Sequence, residues 1–266
     1  MEKVILITGA SSGIGSSICE YLKSKGMVVF CASRTMQNNE EKQTFTLEVT
    51  DQENAKKVIS HIFNLKKRID VLINVAGCGI AGSIEDAPVE EIKRQMDVNF
   101  IGTVVLTKEV LTYMRKQKSG LIINFSSIAG LFGLPYQAFY SASKFAVKSF
   151  SQALRLEVEQ FGIKVVVIEP GDFKSNFTVN RRKYTTTNSE YARSFSNAIE
   201  KIEKDEKNGE DPVLISKLIY KIIHSKNPKT TYISGPFFER VFAALIKLLP
   251  EQTISFILKK YYRLPD

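Results

Sequence analysis

Short apolar runs alternate with longer amphipathic stretches along most of this chain, and that alternation constrains its fold more than any other feature. Parallel strands buried on both faces appear as continuous branched apolar runs, and joining them takes a crossover, usually a helix. The pattern therefore predicts an α/β domain with a doubly wound, mostly parallel sheet. Strands are expected over 3–8, 27–32, 44–49, 70–74, 120–126, 163–168 and 230–233, and helices over 12–25, 51–67, 88–118, 138–161, 189–206 and 212–225. Asp51, and Asp211 followed by Pro212, carry the cap chemistry that satisfies free amides at a helix start. The connection from Ser33 to Gln43 is too short for a full crossover helix, so the second βαβ unit is expected to be trimmed. A polar stretch over 172–190 is expected to act as a mobile cover. The chain is expected to divide into one α/β domain over 1–235 and an amphipathic helical extension over 236–266.

Composition narrows the function classes. The 266 residues, 44% of them apolar, are enough for one sizeable core, which excludes disorder as the main theme. The formal charge of +9 is spread along the sequence, so nucleic acid is not the expected partner. Cys19, Cys31 and Cys78 have neither CxxC spacing nor a histidine cluster nearby, and no disulfide framework or metal site is expected. No run of about 18 apolar residues and no signal-peptide pattern is present, which predicts a soluble, cytoplasmic protein.

After the first strand comes Thr8-Gly9-Ala10-Ser11-Ser12-Gly13-Ile14-Gly15, opening a helix. Such a turn turns backbone amides toward a phosphate at a helix N-terminus, and its glycines let the pyrophosphate come close. Gly9, Ser11, Ser12, Gly13, Ile14 and Gly15 are the expected contacts. Ser33-Arg34 ends the second strand, where a carboxylate would bind a ribose 2′-hydroxyl; a guanidinium there favours a 2′-phosphate and hence NADP(H).

Tyr140 and Lys144 are four residues apart and share a helical face. At roughly 4 Å and an effective dielectric of about 20, a lysine charge is worth about 4 kcal/mol, which predicts a phenol brought down toward neutrality. Ser127 ends a strand where ligands meet an α/β sheet and can donate a hydrogen bond to a carbonyl; Ser126 is the residue expected to cap the following loop.

These motifs, with Asn74-Val75-Ala76-Gly77, Asn99 and Pro170-Gly171 in the same order, resemble the short-chain dehydrogenase/reductase family over about residues 1–235. The resemblance implies a Rossmann fold, Tyr140 as general acid/base, Ser127 as the group orienting the carbonyl, and Lys144 as the residue that lowers the tyrosine pKa and holds the nicotinamide ribose. It implies that Asn99 completes a tetrad through a water, that Asn74, Ala76 and Gly77 lie beside the cofactor, and that Phe173 and Ser175 meet its nicotinamide end. Val75 and Glu48-Val49 depart from the family's Asn-Asn-Ala-Gly and Asp-Val, and Glu48 is the less usual adenine contact. A homodimer or homotetramer through the helices at 102–118 and 138–161 is implied in the same way.

The function expected is therefore NADP(H)-dependent interconversion of a carbonyl and a secondary alcohol. Ile80, Phe132, Leu134, Tyr136 and Phe177 flank the site and suggest an apolar, lipid-like substrate: a steroid, retinoid, sphingoid base or long-chain acyl group. The alternatives are a 3-oxoacyl-thioester reductase of fatty-acid synthesis and a non-catalytic NADP-sensing binding protein. Phe237, Phe238, Phe242 and Leu245 cap the pocket, pack as core, or join Lys247, Lys259, Lys260 and Arg263 in a membrane-surface contact.

Overall fold

The structure is a computed structural model that describes residues 2–265, at Lys247 without its side chain. In chain order its elements are β1 (Val4–Thr8), α1 (Gly13–Ser24), β2 (Val28–Ser33), β3 (Thr44–Thr46), α2 (Gln52–Lys66), β4 (Val71–Asn74), β5 (Ile80–Ala81), α3 (Val89–Met96), α4 (Gly102–Gln117) and β6 (Gly120–Phe125). There follow α5 (Ala138–Val158), β7 (Ile163–Pro170), α6 (Phe177–Asn180), β8 (Arg182–Lys183), α7 (Ala192–Lys207), α8 (Pro212–His224), β9 (Thr231–Ser234), α9 (Phe237–Leu245) and α10 (Glu251–Tyr261).

Seven strands form one parallel sheet in the order β3-β2-β1-β4-β6-β7-β9. Alternation along each strand sends successive side chains to opposite faces. Val4 and Leu6 pack with α2, α4 and α5 through Ile59, Leu106 and Leu154, whereas Ile5 and Ile7 pack with α1 and α8 through Leu22 and Ile219. This is the doubly wound, single-domain Rossmann arrangement expected. The order reverses between β1 and β4, and Thr8, Asn74 and Asn124 are in register across the sheet. A crevice therefore opens at the carboxyl ends of β1 and β4, where open α/β sheets bind ligands.

Local chemistry explains several boundaries. The Asp51 side chain accepts from the Asn54 amide, and Asp211 accepts from the Val213 amide behind Pro212, so both expected caps are formed. No helix joins β2 to β3; the chain turns back through a bridge between Asn39 and Thr44. β3 ends at Thr46 rather than 49, because residues 47–51 already turn into the cap of α2.

The single helix expected over 88–118 is interrupted by a π turn over Asp97–Ile101. The wider turn faces Asn99 inward, and its carbonyl accepts from the Thr103 hydroxyl at 3.1 Å. The segment over 172–190 holds α6 and β8, and β8 pairs with β5 in a second, two-stranded sheet. Beyond β9, the extension is two helices separated by a 3-10 turn and Pro250.

Candidate active site

Gly9 has φ +68°, and a Cβ on it would stand 2.7 Å from the Ala76 backbone; a Cβ on Gly15 would stand 2.1 Å from the Gly9 carbonyl oxygen. Only glycine lets β1, the turn and the chain after β4 converge this closely. Ser12 precedes α1 and makes no side-chain cap, in contrast to the capping aspartates of α2 and α8, and no acidic residue sits in the first turn of α1. The first amides of α1 are thus left for a ligand's phosphate oxygens. Gly9, Ser11, Ser12, Gly13, Ile14 and Gly15 all line one cavity of about 890 Å³, and this cradle fits a dinucleotide pyrophosphate.

Ser33, Arg34, Glu48, Val49, Ala76 and Gly77 line the same cavity. Arg34 is exposed and lies 3.9 Å from Glu48, a long, solvated pair that leaves the guanidinium available to an incoming phosphate. Asn74 is not on the cavity wall. Its side-chain amide donates to the Asn124 side-chain carbonyl at 2.9 Å, tying β4 to β6 below the site. Pro170, Gly171, Phe173 and Ser175 line the opposite side, and a Cβ on Gly13 would stand 3.1 Å from that of Ser175.

Ser127, Tyr140 and Lys144 share this cavity. Helix α5 brings the tyrosine and lysine to one face, with the Lys144 ammonium 5.7 Å from the Tyr140 ring centroid and donating to the Phe125 carbonyl at 2.9 Å. Asn99 sits directly behind the wall. Its side chain accepts from the Cys78 amide at 2.8 Å and donates to the Ser143 hydroxyl at 3.0 Å, so it fixes the floor under Lys144.

Two expectations are corrected here. Burial pushes the Tyr140 phenol up to about 12, with a hydrogen bond from Ser127 opposing it, instead of down toward neutrality. Desolvation pulls Lys144 itself down to about 8. The capping duty falls on Ser127, whose side chain accepts from the Ala129 amide at 3.1 Å, while Ser126 donates to the Lys144 carbonyl at 2.8 Å and anchors α5.

Phe132, Leu134 and Phe177 line the cavity as expected, and the Phe177 ring stands 5.4 Å from that of Tyr140. Ile80 and Tyr136 are not among its lining residues. Ile80 is buried in β5 with its amide held by Gln95, and Tyr136 packs edge-on against Phe195 in a cluster with α7.

Sequence reasoning missed the carboxyl groups on this wall: Asp172, Asp205, Glu206 and Glu239. Asp205 pairs with Lys201 and Tyr261, and Glu206 with Arg181 and Thr178. Asp172 and Glu239 are tied to each other. The Asp172 amide donates to Glu239 at 2.8 Å, and burial beside Glu239 pushes the Asp172 carboxyl up to about 9. The position of Asp172 right after Pro170-Gly171 was the available signal; Glu239 had none.

A family model described as short chain dehydrogenase matches residues 3–186. The chain is 43% identical to the 3-ketodihydrosphingosine reductase of Bacteroides thetaiotaomicron over 98% of each protein. It is 32% identical to the NADPH-dependent 3-dehydrocapnine reductase of Ornithobacterium rhinotracheale, over 96% of this chain and 95% of that one. Among solved structures, a short-chain dehydrogenase from Streptomyces avermitilis superposes with TM-score 0.83 at 25% identity, covering 99% of this chain and 97% of its own. ElxO with NADP bound gives 0.71 at 26%, covering 88% and 96%. The chain belongs to the short-chain dehydrogenase/reductase family, and it is an oxidoreductase acting on CH–OH and C=O groups.

Proposed function

We propose that this protein is an NADPH-dependent reductase of a long-chain amino ketone, the class to which a 3-keto sphingoid base belongs. The observation that carries the reading is the composition of one cavity wall. Ser127 and Tyr140 stand with Phe132, Leu134, Phe177, Ile257 and Leu258, and with the carboxyl pair Asp172 and Glu239. At about 890 Å³ the cavity is at the upper end of small-molecule sites, roughly 300–1,000 Å³, in keeping with a dinucleotide plus a substrate chain. The names of the two relatives support the same class.

NADPH supplies the hydride; the chain supplies position and charge. Ser33 and Arg34 hold the 2′-phosphate, the glycine turn the pyrophosphate, and Lys144 the nicotinamide ribose. Ser127 donates to the ketone oxygen and Tyr140 gives its proton to the alkoxide that develops there. Desolvation strengthens both bonds in a buried site. Asp172 and Glu239, lacking a cationic partner in each other, take the substrate ammonium, which displaces the proton they share. This reading includes a cytoplasmic location; among the described residues no helix is long and apolar enough to cross a membrane. It also includes a homodimer or tetramer through α4 and α5, where Phe145 and Leu156 are exposed.

The test follows NADPH absorbance with a 3-keto sphingoid base, its N-acetyl derivative, a 3-oxoacyl thioester and a steroid ketone, using Tyr140→Phe as control. Turnover of the free amine, lost in the control and reduced for the N-acetyl derivative, is expected. Preference for the thioester would replace this reading with the fatty-acid one.

A further inference from the structure

Helix α9 turns apolar residues outward. Ala243 is buried and the Phe242 ring stands 5.4 Å from that of Phe132, so the helix is docked on the domain by its other side. Phe237, Phe238, Val241, Ala244 and Leu245 are exposed nevertheless. At about 100° per residue these five fall within an arc of about 120°. Leu248, 80% exposed, carries the stripe into the following 3-10 turn. On α10, Phe256 is 61% exposed and shares its face with Lys259 and Lys260, and Arg263 follows. The inner face of α10 carries Ile257 and Leu258 to the cavity.

Cations border both apolar faces. The Arg240 guanidinium lies 6.0 Å from the Phe237 ring centroid and the Lys260 ammonium 5.8 Å from that of Phe256. Glu239 points inward to Asp172, which leaves Glu251 as the outward acid of the two helices. Phe238, 84% exposed, and Tyr261, 46% exposed, also line the cavity, so the cavity reaches the surface beside this patch.

We propose that α9 and α10 seat the protein on an anionic lipid bilayer, with the aromatic and aliphatic side chains in the acyl boundary and Arg240, Lys259, Lys260 and Arg263 among the headgroup phosphates. An apolar face joined to a basic rim is the two-part signal for reversible surface binding. A second copy of the chain fits less well, because a two-fold contact through these helices brings like charges together. A bilayer supplies the opposite charge. Docked this way, the cavity opens toward the layer in which a long-chain substrate dissolves. The proposal concerns location and stands whichever ketone is reduced.

The full chain lacks tryptophan, so Leu248→Trp makes a single-tryptophan reporter outside the cavity. The experiment adds vesicles of phosphatidylcholine with or without phosphatidylglycerol and reads both the blue shift of that tryptophan and co-sedimentation of the unlabelled protein. Binding is expected only with the anionic lipid, weakening with salt, and falling about 5-fold for each cation removed by Lys259→Gln and Arg263→Gln. Leu245→Ser with Leu248→Ser abolishes it. NADPH-linked reduction of a small water-soluble diketone, where it is measurable, and the thermal midpoint together show that each variant is folded. Absence of binding to anionic vesicles, or binding unchanged by both sets of variants, would overturn the proposal. So would light scattering that finds a dimer in solution which the double serine variant dissociates.

Discussion

In the proposed reading, the phenol of Tyr140 and the ammonium of Lys144 define the chemistry at the smallest scale. With Tyr140 pushed up to about 12, the site holds a proton donor throughout the neutral range. Reduction needs that donor, whereas oxidation needs the phenolate, so the proposed reduction has its acid in place near pH 7. Lys144, pulled down to about 8, is charged below that pH and loses its charge above it. The kcat for reduction is therefore expected to be flat up to about pH 8 and to fall beyond, as a pH–rate profile reads directly. Tyr140→Phe removes the proton and lowers kcat by about 10²–10⁴-fold with the NADPH Kd little changed. Arg34→Ala removes a charge-assisted contact worth about 1.5–3 kcal/mol, so it raises the KM for NADPH roughly 10- to 100-fold and leaves the KM for NADH nearly unchanged. Gly9 to Gly15 and the Tyr140–Lys144 pair were legible because their meaning is local, set by neighbours within one turn. Asp172 and Glu239 meet across 67 residues, and the Tyr140 pKa depends on how deeply the ring is buried; neither is written in spacing.

Elements carry a second layer. The caps at Asp51 and Asp211 could be read because an Asx side chain answers amides two or three residues ahead. The π turn over Asp97–Ile101 could not, because one extra residue hardly disturbs the apolar period of a long helix. Nor could β5 and β8, two residues each, whose pairing joins segments about 100 residues apart. The clamp between the loop after β7 and α9 gives a prediction at this scale. An aspartate is ordinarily half-protonated near 3.8, and Asp172 in the fold near 9, so between these values the folded protein holds a proton that the unfolded chain releases. Stability from this group is full below about pH 4 and is lost as pH rises toward 9. Asp172→Asn keeps the group neutral and removes that loss. Its thermal midpoint is expected to match the parent near pH 4 and exceed it at pH 8, by about 2–4 °C for each kcal/mol recovered. A midpoint difference that does not change with pH would count against the clamp.

At the scale of the molecule, the proposed reading gives the phosphate-binding end of the cofactor site to the sheet, while the C-terminal helices complete the substrate end and hold the loop after β7 through Glu239. The glycine turn and the ends of β2 and β4 precede residue 80, whereas Phe238, Phe242, Ile257 and Leu258 come from α9 and α10. Deleting the chain after Gly235 is therefore expected to split two properties that single-site changes leave joined. NADPH binding, read by protection against thermal unfolding, persists with a Kd within a few fold of the parent. Turnover of a long-chain ketone falls by about 10²-fold or more, because the apolar wall that orients the chain is gone and a misplaced carbonyl loses near-attack geometry. A small diketone, held only by Ser127 and Tyr140, keeps most of the rate it has in the full chain. The deletion also uncovers apolar residues that Ala243, Ile246 and Tyr262 now cover, each such side chain worth about 1.5–3 kcal/mol for the larger ones, so a lower midpoint accompanies it. Loss of NADPH binding together with turnover would mean that the helices hold the whole site. Unchanged turnover of the long-chain ketone would remove them from substrate recognition, and the cavity wall from β6, α6 and α7 would have to account for it alone.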